Sequence, residues 1–434
     1  LLIKLASFNL PPQEKNMSNS LQEKVLHDPI KLDLANELAR AIEAGFNHRL
    51  EVSEIYNLLV TPPQFAMGHL AFGCFPLAKA LRLGPPVIAQ KLAQLESLQK
   101  LPMVELVKPE GPYLNFTFKT SMLAPKILAP VLDGSYFSRS LTSRPIKIMI
   151  EYSQPNTHKE LHVGHMRNLC LGNSLVRLNR MIKNNVLAVT YPGDVGTHVA
   201  KCLWYMKKFT DGKPPAKGHP GAWLGSLYSK AHIMLEDQLG TPAEEQNRSE
   251  LTAILKELHA QKGPYFELWK ETRQWSIDLM EKAYAWADVH FDSWFWESQM
   301  DAPSLEFAHK LYQDGKLILS EGAIGMNLEE DKLGFCMLVK SDGTGLYATK
   351  DIMLAKRKFE QHQLDKNIYV VDKRQALHFK QVFKVLEKIG FEKAADCYHL
   401  QYDFVELPDG AMSSRKGNIV ALMDLIGQME ETIK

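Results

Sequence analysis

The segment that most constrains this chain lies between an apolar, strand-like run, Ile146 to Tyr152, and a helix-like stretch from Met166 to about Met181. It reads QPNTHKELHVGH over residues 154–165. A strand that passes through a tight glycine turn into a helix opens a βα unit. Such a turn presents backbone N–H groups and a positive dipole end to an anion. His162 and His165 sit at this turn with Gly164 between them, and a glycine there lets a flat base or a phosphate approach the backbone. With 15 His and 26 Gly in 434 residues, chance supplies only roughly 0.03 His-x-Gly-His tetrapeptides, so the motif is suggestive. A plain turn with two solvated or core-satisfied histidines is the alternative.

From about residue 146 onward, strand-like segments (146–152, 186–191, 335–340, 367–372, 397–406) alternate with helix-like ones (166–182, 197–209, 263–288, 351–362, 376–390). That alternation predicts an α/β fold, a Rossmann-like parallel sheet with helices on both faces and a ligand at the carboxyl ends of its strands. Residues 210–262, rich in Gly, Pro and Lys and then helix-like, read as an insertion in a crossover. Residues 17–120 read as a separate small α+β N-terminal domain. Leu34, Leu38, Ile42 and Phe46 recur by fours there, 76–96 gives two helices broken at Gly84-Pro85-Pro86, and 104–118 reads as strand, turn and strand. Residues 121–145 are expected to be a linker that begins as a helix, and 146–434 the Rossmann-like domain.

A second motif, GAMSSRKGN, occupies residues 410–418. Two histidines at a helix start and a mobile cationic loop are complementary parts of an ATP site. The histidines can donate hydrogen bonds to an α-phosphoryl oxygen as charge develops, and Arg415 and Lys416 can neutralise a departing pyrophosphate. One preorganised donor of this kind contributes about 2.7–4 kcal/mol to a transition state.

Residues 151–167, EYSQPNTHKELHVGHMR, resemble the strand, arginine-binding turn and His-x-Gly-His signature of class I aminoacyl-tRNA synthetases, and more narrowly of arginyl-tRNA synthetases. YPGDVGTHVAK (191–201) resembles that family's Gly-Asp-Trp-Gly-Thr segment, with Val195 replacing the usual aromatic. LYATKDI (346–352) and VVDKRQALHFKQ (370–381) resemble two further blocks, all in family order. The resemblance implies ATP-dependent ligation of arginine to its tRNA through an arginyl-adenylate, with tRNA bound before activation. ATP with Mg²⁺ is then the substrate complex, and arginine and arginine tRNA are the partners. A cytoplasmic monomer is expected, with the N-terminal domain touching the tRNA elbow or serving as an ordinary packing module.

Arginine carries a planar cation best held by carboxylates in a bidentate fork. By resemblance, Tyr347, Asp351 and Glu151 surround the guanidinium, and Asn156 and Gln375 hold the α-amino and carboxylate groups. Asp351 could instead stabilise a helix N-terminus, and Glu151 could be a surface strand end. Gly193, Asp194, His198, Asp372 and His378 are further candidates, and Asp372 either binds ribose hydroxyls or caps the following turn. His198 stands where the family often has Gln. In the signature loop, Met412 and Ser413 match the usual Lys-Met-Ser-Lys-Ser pattern, but neither usual lysine position holds lysine. Lys416 and Lys159 are the expected phosphate cations, with Arg415 third.

Composition bounds the rest. Lys and Arg number 51 against 50 Asp and Glu, so a nucleic-acid partner must be met by local basic patches such as 207–213 or 356–358, which otherwise read as solvated faces. The five cysteines form no C-x-x-C pair, so neither bound zinc nor a disulfide framework is expected. The cysteinyl ligases, which need a zinc-binding cysteine set, are thereby disfavoured. No apolar run approaches about 18 residues, and no membrane span is expected. Met17 reads as the natural start. The chain stops soon after the signature loop, where arginyl-tRNA synthetases continue into an anticodon-binding domain, expected to be absent here. The alternative function is therefore a truncated paralogue or fragment that binds tRNA or nucleotide without completing aminoacylation.

Overall fold

The computed structural model describes residues 28–138, 142, 144–403, 405–407, 410–411 and 420–433. The chain forms two compact units, one ending at Arg144 and also including Met181–Lys183, the other comprising Pro145–Arg180 and the chain from Asn184 onward.

The first unit opens with the helix Pro29–Phe46. Asp28 caps it by accepting from the N–H groups of Ile30 and Lys31, Pro29 supplies a preset φ, and Asn47 ends it in the left-handed conformation. The cap explains why the helix starts before the apolar repeat does. Leu34, Leu38 and Ile42 are fully buried. The helices Phe75–Leu81 and Pro85–Ala93 are separated where the Gly-Pro-Pro sequence suggested. They pack on a four-stranded antiparallel sheet in the order Leu59–Val60, Leu70–Gly73, Tyr113–Phe118, Val104–Glu110.

The second unit is built on five parallel strands, spatially ordered Cys397–Tyr402, Lys366–Asp372, Lys147–Glu151, Asn185–Thr190, Ser293–Trp294. The chain therefore leaves the central strand Lys147–Glu151 in one direction for the next two strands and returns to its other side for the last two. The winding reverses between Lys147–Glu151 and Lys366–Asp372, and a crevice opens at the carboxyl ends of these neighbours. Alternation along the central strand feeds both faces. Ile148 and Ile150 join a core with Leu169 and Val176 of the helix Val163–Met181. Met149 joins another with Ala355 and Phe359 of the helix Tyr347–His362 and with Val382 of the helix Ala376–Lys388.

The expected strand at 335–340 exists, but it does not belong to this sheet. Phe335–Val339 pairs antiparallel with Ala323–Asn327, which pairs in turn with Ile318–Ser320. Short loops connect these strands, with Glu321 and Gly322 both at positive φ, and a link that short cannot make the long crossover a parallel neighbour requires. The sheet's fifth strand is instead Ser293–Trp294, too short for any periodicity to mark. The helices Pro220–Asp237 and Ala243–Ala260 lie between Thr197–Phe209 and Pro264–Trp286, with Leu203, Trp204, Ala231, Ile254 and Leu258 sharing one core.

Candidate active site

A cavity of about 480 Å³ opens at the reversal of strand order. Glu151, at the end of the central strand, and Asp372, at the end of its neighbour, both line it. The turn that follows Glu151 is held in unusual backbone. Ser153, Gln154 and His158 have φ of 77°, 34° and 59°, conformations that persist only where their surroundings over-determine them. The Ser153 N–H donates to Asn168 Oδ1 at 2.6 Å, and Asn168 Nδ2 donates to the Val370 carbonyl at 2.8 Å and the Tyr402 hydroxyl at 2.9 Å. One asparagine thus bolts the helix Val163–Met181 to three strand ends. His158 is fully buried, with Nδ1 2.9 Å from Thr157 Oγ1, Nε2 2.8 Å from Thr272 Oγ1, and its own N–H donating to Ser276 Oγ. Burial, reinforced by Arg273, pushes its imidazole down to about 3.

His162 and His165 stack with ring centroids 3.9 Å apart. The Gly164 N–H donates to His162 Nδ1, and the His162 N–H donates to His165 Nδ1. A ring nitrogen that accepts carries no proton, so each neutral imidazole has its hydrogen on Nε2. Burial holds both histidines below the ordinary value, His165 well below, with the charge of Lys159 adding to the effect. Both are therefore neutral donors at Nε2. The free backbone donors expected at this helix start are not found. The Val163 N–H reaches the Val420 carbonyl, Gly164 is used by His162, and His165 N–H returns to the His162 carbonyl. Side chains replace the backbone as the donors that an incoming group can meet.

Of the other expected residues, Gly164, Asn156, Gly193, Tyr347, Asp351, Asp372, Gln375 and His378 also line the cavity. Tyr347 is 69% exposed at its rim. Glu151 is not a surface strand end. It is buried and ion-paired with Lys358, itself fully buried beside the rings of Tyr369 and Phe295. Asp351 follows the first turn of the helix Tyr347–His362 and lies 2.6 Å from His378 Nε2. Burial opposes a charge on His378, but the hydrogen bond and the carboxylate charge of Asp351 outweigh it and leave the pKa raised. Asp372 caps the turn Lys373–Gln375 and accepts from the backbone and guanidinium of Arg374.

Three candidates stand outside the lining. Asp194 is fully buried and accepts from Arg273 Nε at 2.8 Å and from the Ser298 N–H and hydroxyl. It braces the loop after Thr190 rather than facing a ligand. The His198 Nε2 lies 3.4 Å from the Gly193 carbonyl beneath that loop. The Lys159 ammonium lies 5.2 Å from the Tyr228 ring centroid. Met412, Ser413, Arg415 and Lys416 fall outside the described residues. Their far flank is described, however. Ala421 bridges His162, and the Leu422 N–H donates to the Leu161 carbonyl at 2.8 Å, so the chain re-enters beside the histidine turn.

Sequence reading missed Glu297. It lies in the short 3₁₀ turn Glu297–Gln299, lines the cavity, and is paired with Lys350 at 2.8 Å. No motif or periodicity marks it, because it reaches the site only through the fold. The ion pairs leave the cavity anionic. Its lining carboxylates Glu151, Glu297, Asp351 and Asp372 outnumber the lining guanidinium of Arg374, with Lys358 paired to Glu151, Lys350 shared between Glu297 and Asp301, and His378 beside Asp351.

Residues 131–433 match the family model described as tRNA synthetases class I (R), catalytic domain, and residues 30–118 match Arginyl tRNA synthetase N terminal domain. The chain belongs to the arginyl-tRNA synthetase family. An arginine–tRNA ligase of Bdellovibrio bacteriovorus is 56% identical over 412 residues, which are 94% of this chain and 70% of that protein. One of Halothermothrix orenii is 32% identical, covering 93% of this chain and 70% of its own length. The arginyl-tRNA synthetase of Thermus thermophilus shares the fold with a TM-score of 0.66 at 24% identity, over 92% of this chain and 69% of that one. The chain has the class I synthetase fold, with a parallel sheet and the candidate cavity at its strand ends.

Proposed function

We propose that this chain ligates arginine to its tRNA in two steps at the cavity described above. The observation that carries the reading is the meeting, in one anionic cavity, of two neutral imidazoles protonated at Nε2 with the carboxylates Glu151, Glu297 and Asp351. The carboxylates suit a guanidinium, with Tyr347 at the rim and His378 orienting Asp351. Asn156 and Gln375 hold the α-amino and carboxylate groups of the amino acid. Gly193 keeps the wall open for them. The substrate carboxylate attacks the α-phosphorus of ATP, supplied as its Mg²⁺ complex, and the bond to pyrophosphate breaks. His162 and His165 donate to the α-phosphoryl oxygen as its charge grows, with no proton transfer needed, beside Gly164. Lys416 and Arg415, in the motif with Met412 and Ser413, neutralise the pyrophosphate, and Lys159 adds positive potential behind the histidines.

A 3′-terminal ribose hydroxyl of the tRNA then attacks the arginyl carbonyl, and AMP leaves. Asp372 combines its capping role with a contact to the adenosine ribose. The N-terminal unit is the element that meets the tRNA elbow. A monomer is the expected state, and a role in translation suits the cytoplasm.

The test is amino-acid-dependent ATP–pyrophosphate exchange with and without arginine tRNA. Exchange is expected only with arginine and tRNA together. His165→Ala should lower it by about 10²–10³, the effect of one preorganised donor. Exchange supported equally by lysine, or unchanged by His165→Ala, would overturn the reading. Binding of ATP and arginine without exchange would leave a ligand-binding relative in its place.

A further inference from the structure

Lys350 lies on the helix Tyr347–His362, between Tyr347 and Asp351, yet it does not line the cavity. Its side chain is only 12% exposed, and its ammonium bridges Glu297 Oε1, at 2.8 Å, and Asp301. Glu297 is itself 9% exposed at the side chain. Its other oxygen, Oε2, points at Gly193, where an ideal Cβ would come within 3.0 Å of it. One carboxylate oxygen is thus held by Lys350 and the other is turned towards the cavity wall. Asp194, Asp301 and Tyr191 face the same group from the neighbouring loop, helix and strand end. Asp194 is already committed to Arg273 and Ser298, and among the described residues Lys350 is the cation paired with the Glu297 carboxylate.

We propose that Lys350 is a positioning residue that keeps the Glu297 carboxylate ionised and aimed into the cavity, so that the site selects a cationic side chain. The inference rests on the reading that Glu297 contacts the substrate guanidinium. A buried carboxyl beside two other carboxylates takes up a proton readily unless a cation opposes it. Burial already raises the Glu297 pKa, and the charge of Lys350 is the largest influence in the other direction. The positive charge of Lys350 is in turn supported by its partners, which outweigh its own burial. Without it, Glu297 becomes a neutral acid whose second oxygen offers a guanidinium no charge.

The experiment compares Lys350→Met, Lys350→Arg and Glu297→Gln in tRNA-dependent exchange, measuring the KM for arginine and for ATP from pH 6.5 to 9. Lys350→Met should raise the arginine KM about tenfold near neutral pH, the effect of losing about one hydrogen bond to a charged group. That increase should fade as pH rises and Glu297 ionises again. Lys350→Arg should restore a low, pH-independent KM, and the ATP KM should stay unchanged in both. An unchanged arginine KM, or an increase equal at every pH, would overturn the proposal. Glu297→Gln separates the two layers of reasoning. If it leaves the arginine KM unaltered, the guanidinium reading fails. If it raises the KM while Lys350→Met shows no pH-dependent loss, only the role of Lys350 fails. Should Lys350→Met not fold, the double variant with Glu297→Gln decides. Recovery of folding supports a neutralising role, and continued misfolding overturns it in favour of packing.

Discussion

Gly193→Ala should damage the amino-acid site while leaving the fold intact. Gly193 faces Asn156 across an isolated β-bridge, and the Thr157 N–H and Gly193 N–H tie the two segments together. A Cβ on Gly193 would stand 2.4 Å from Asn156 Oδ1 and 3.0 Å from Glu297 Oε2, where ordinary contacts begin near 3.4 Å. The Asn156 amide must therefore retreat by about 1 Å, and a misplacement of about 1 Å in a positioning group costs on the order of 10²-fold in rate. That corresponds to about 2.7 kcal/mol of lost transition-state stabilisation. Gly193 does not have positive φ, so alanine meets no backbone penalty, and the clash lies with the ends of two side chains. The loss should thus appear as roughly a hundredfold lower kcat/KM for arginine, with the ATP KM and the urea midpoint close to those of the parent. Exchange kinetics and a denaturation curve on the same preparation give both numbers. Parental kcat/KM for arginine would refute the placement of Asn156 at the substrate. An equal loss with respect to ATP would show that the whole turn had moved.

Two further outcomes concern stability. At Gly172 an ideal Cβ would lie 2.1 Å from Cγ of Tyr152, a fully buried ring, so Gly172→Ala should destabilise by about 1–3 kcal/mol despite its better helix propensity. At Gly427 nothing lies within 4 Å, and Gly427→Ala should stabilise by about 1 kcal/mol. Urea denaturation of the pair checks the contrast, and similar midpoints would refute it. His158 supplies a pH test. Its folded pKa of about 3 lies below the unfolded value of about 6.5, so the unfolded chain takes the proton first as pH falls. Its contribution is fully present above pH 6.5 and is lost as pH falls from there towards 3. His158→Asn should remove about 1.4 kcal/mol per pH unit from the slope of stability between pH 6 and 4, and identical slopes would refute the assignment.

The legible parts of this protein were those in which local chemistry and final structure coincide. The strand at 146–152 ends at Glu151, the turn carries His162, Gly164 and His165, and the helix follows within a few residues of its expected start. Tyr347 and Asp351 share a cavity because a helix brings positions four apart to one side. The antiparallel pairing of Phe335–Val339 was not legible, because an apolar run of five residues does not state which neighbour it will choose. Asp194 and His198 share a recognisable segment with Gly193, yet only Gly193 lines the cavity. Backbone direction, which sequence does not display, sends the other two side chains into the supports beneath the loop.

By itself, the sequence determined the kind of fold, the order of its blocks and the two histidines of the turn, since strand, glycine turn and helix are dictated over distances of a few residues. Only tertiary structure decided the charge of the site. Glu151 and Lys358 are 207 residues apart in the chain, Glu297 and Lys350 are 53 apart, and none of these pairings is foreshadowed by spacing. Burial makes such pairings compulsory, because an ionised group removed from water must find a partner or give up its charge. The protonation of the histidines follows the same rule. Which nitrogen carries the hydrogen is settled by backbone N–H groups that reach the rings only once the helix has formed.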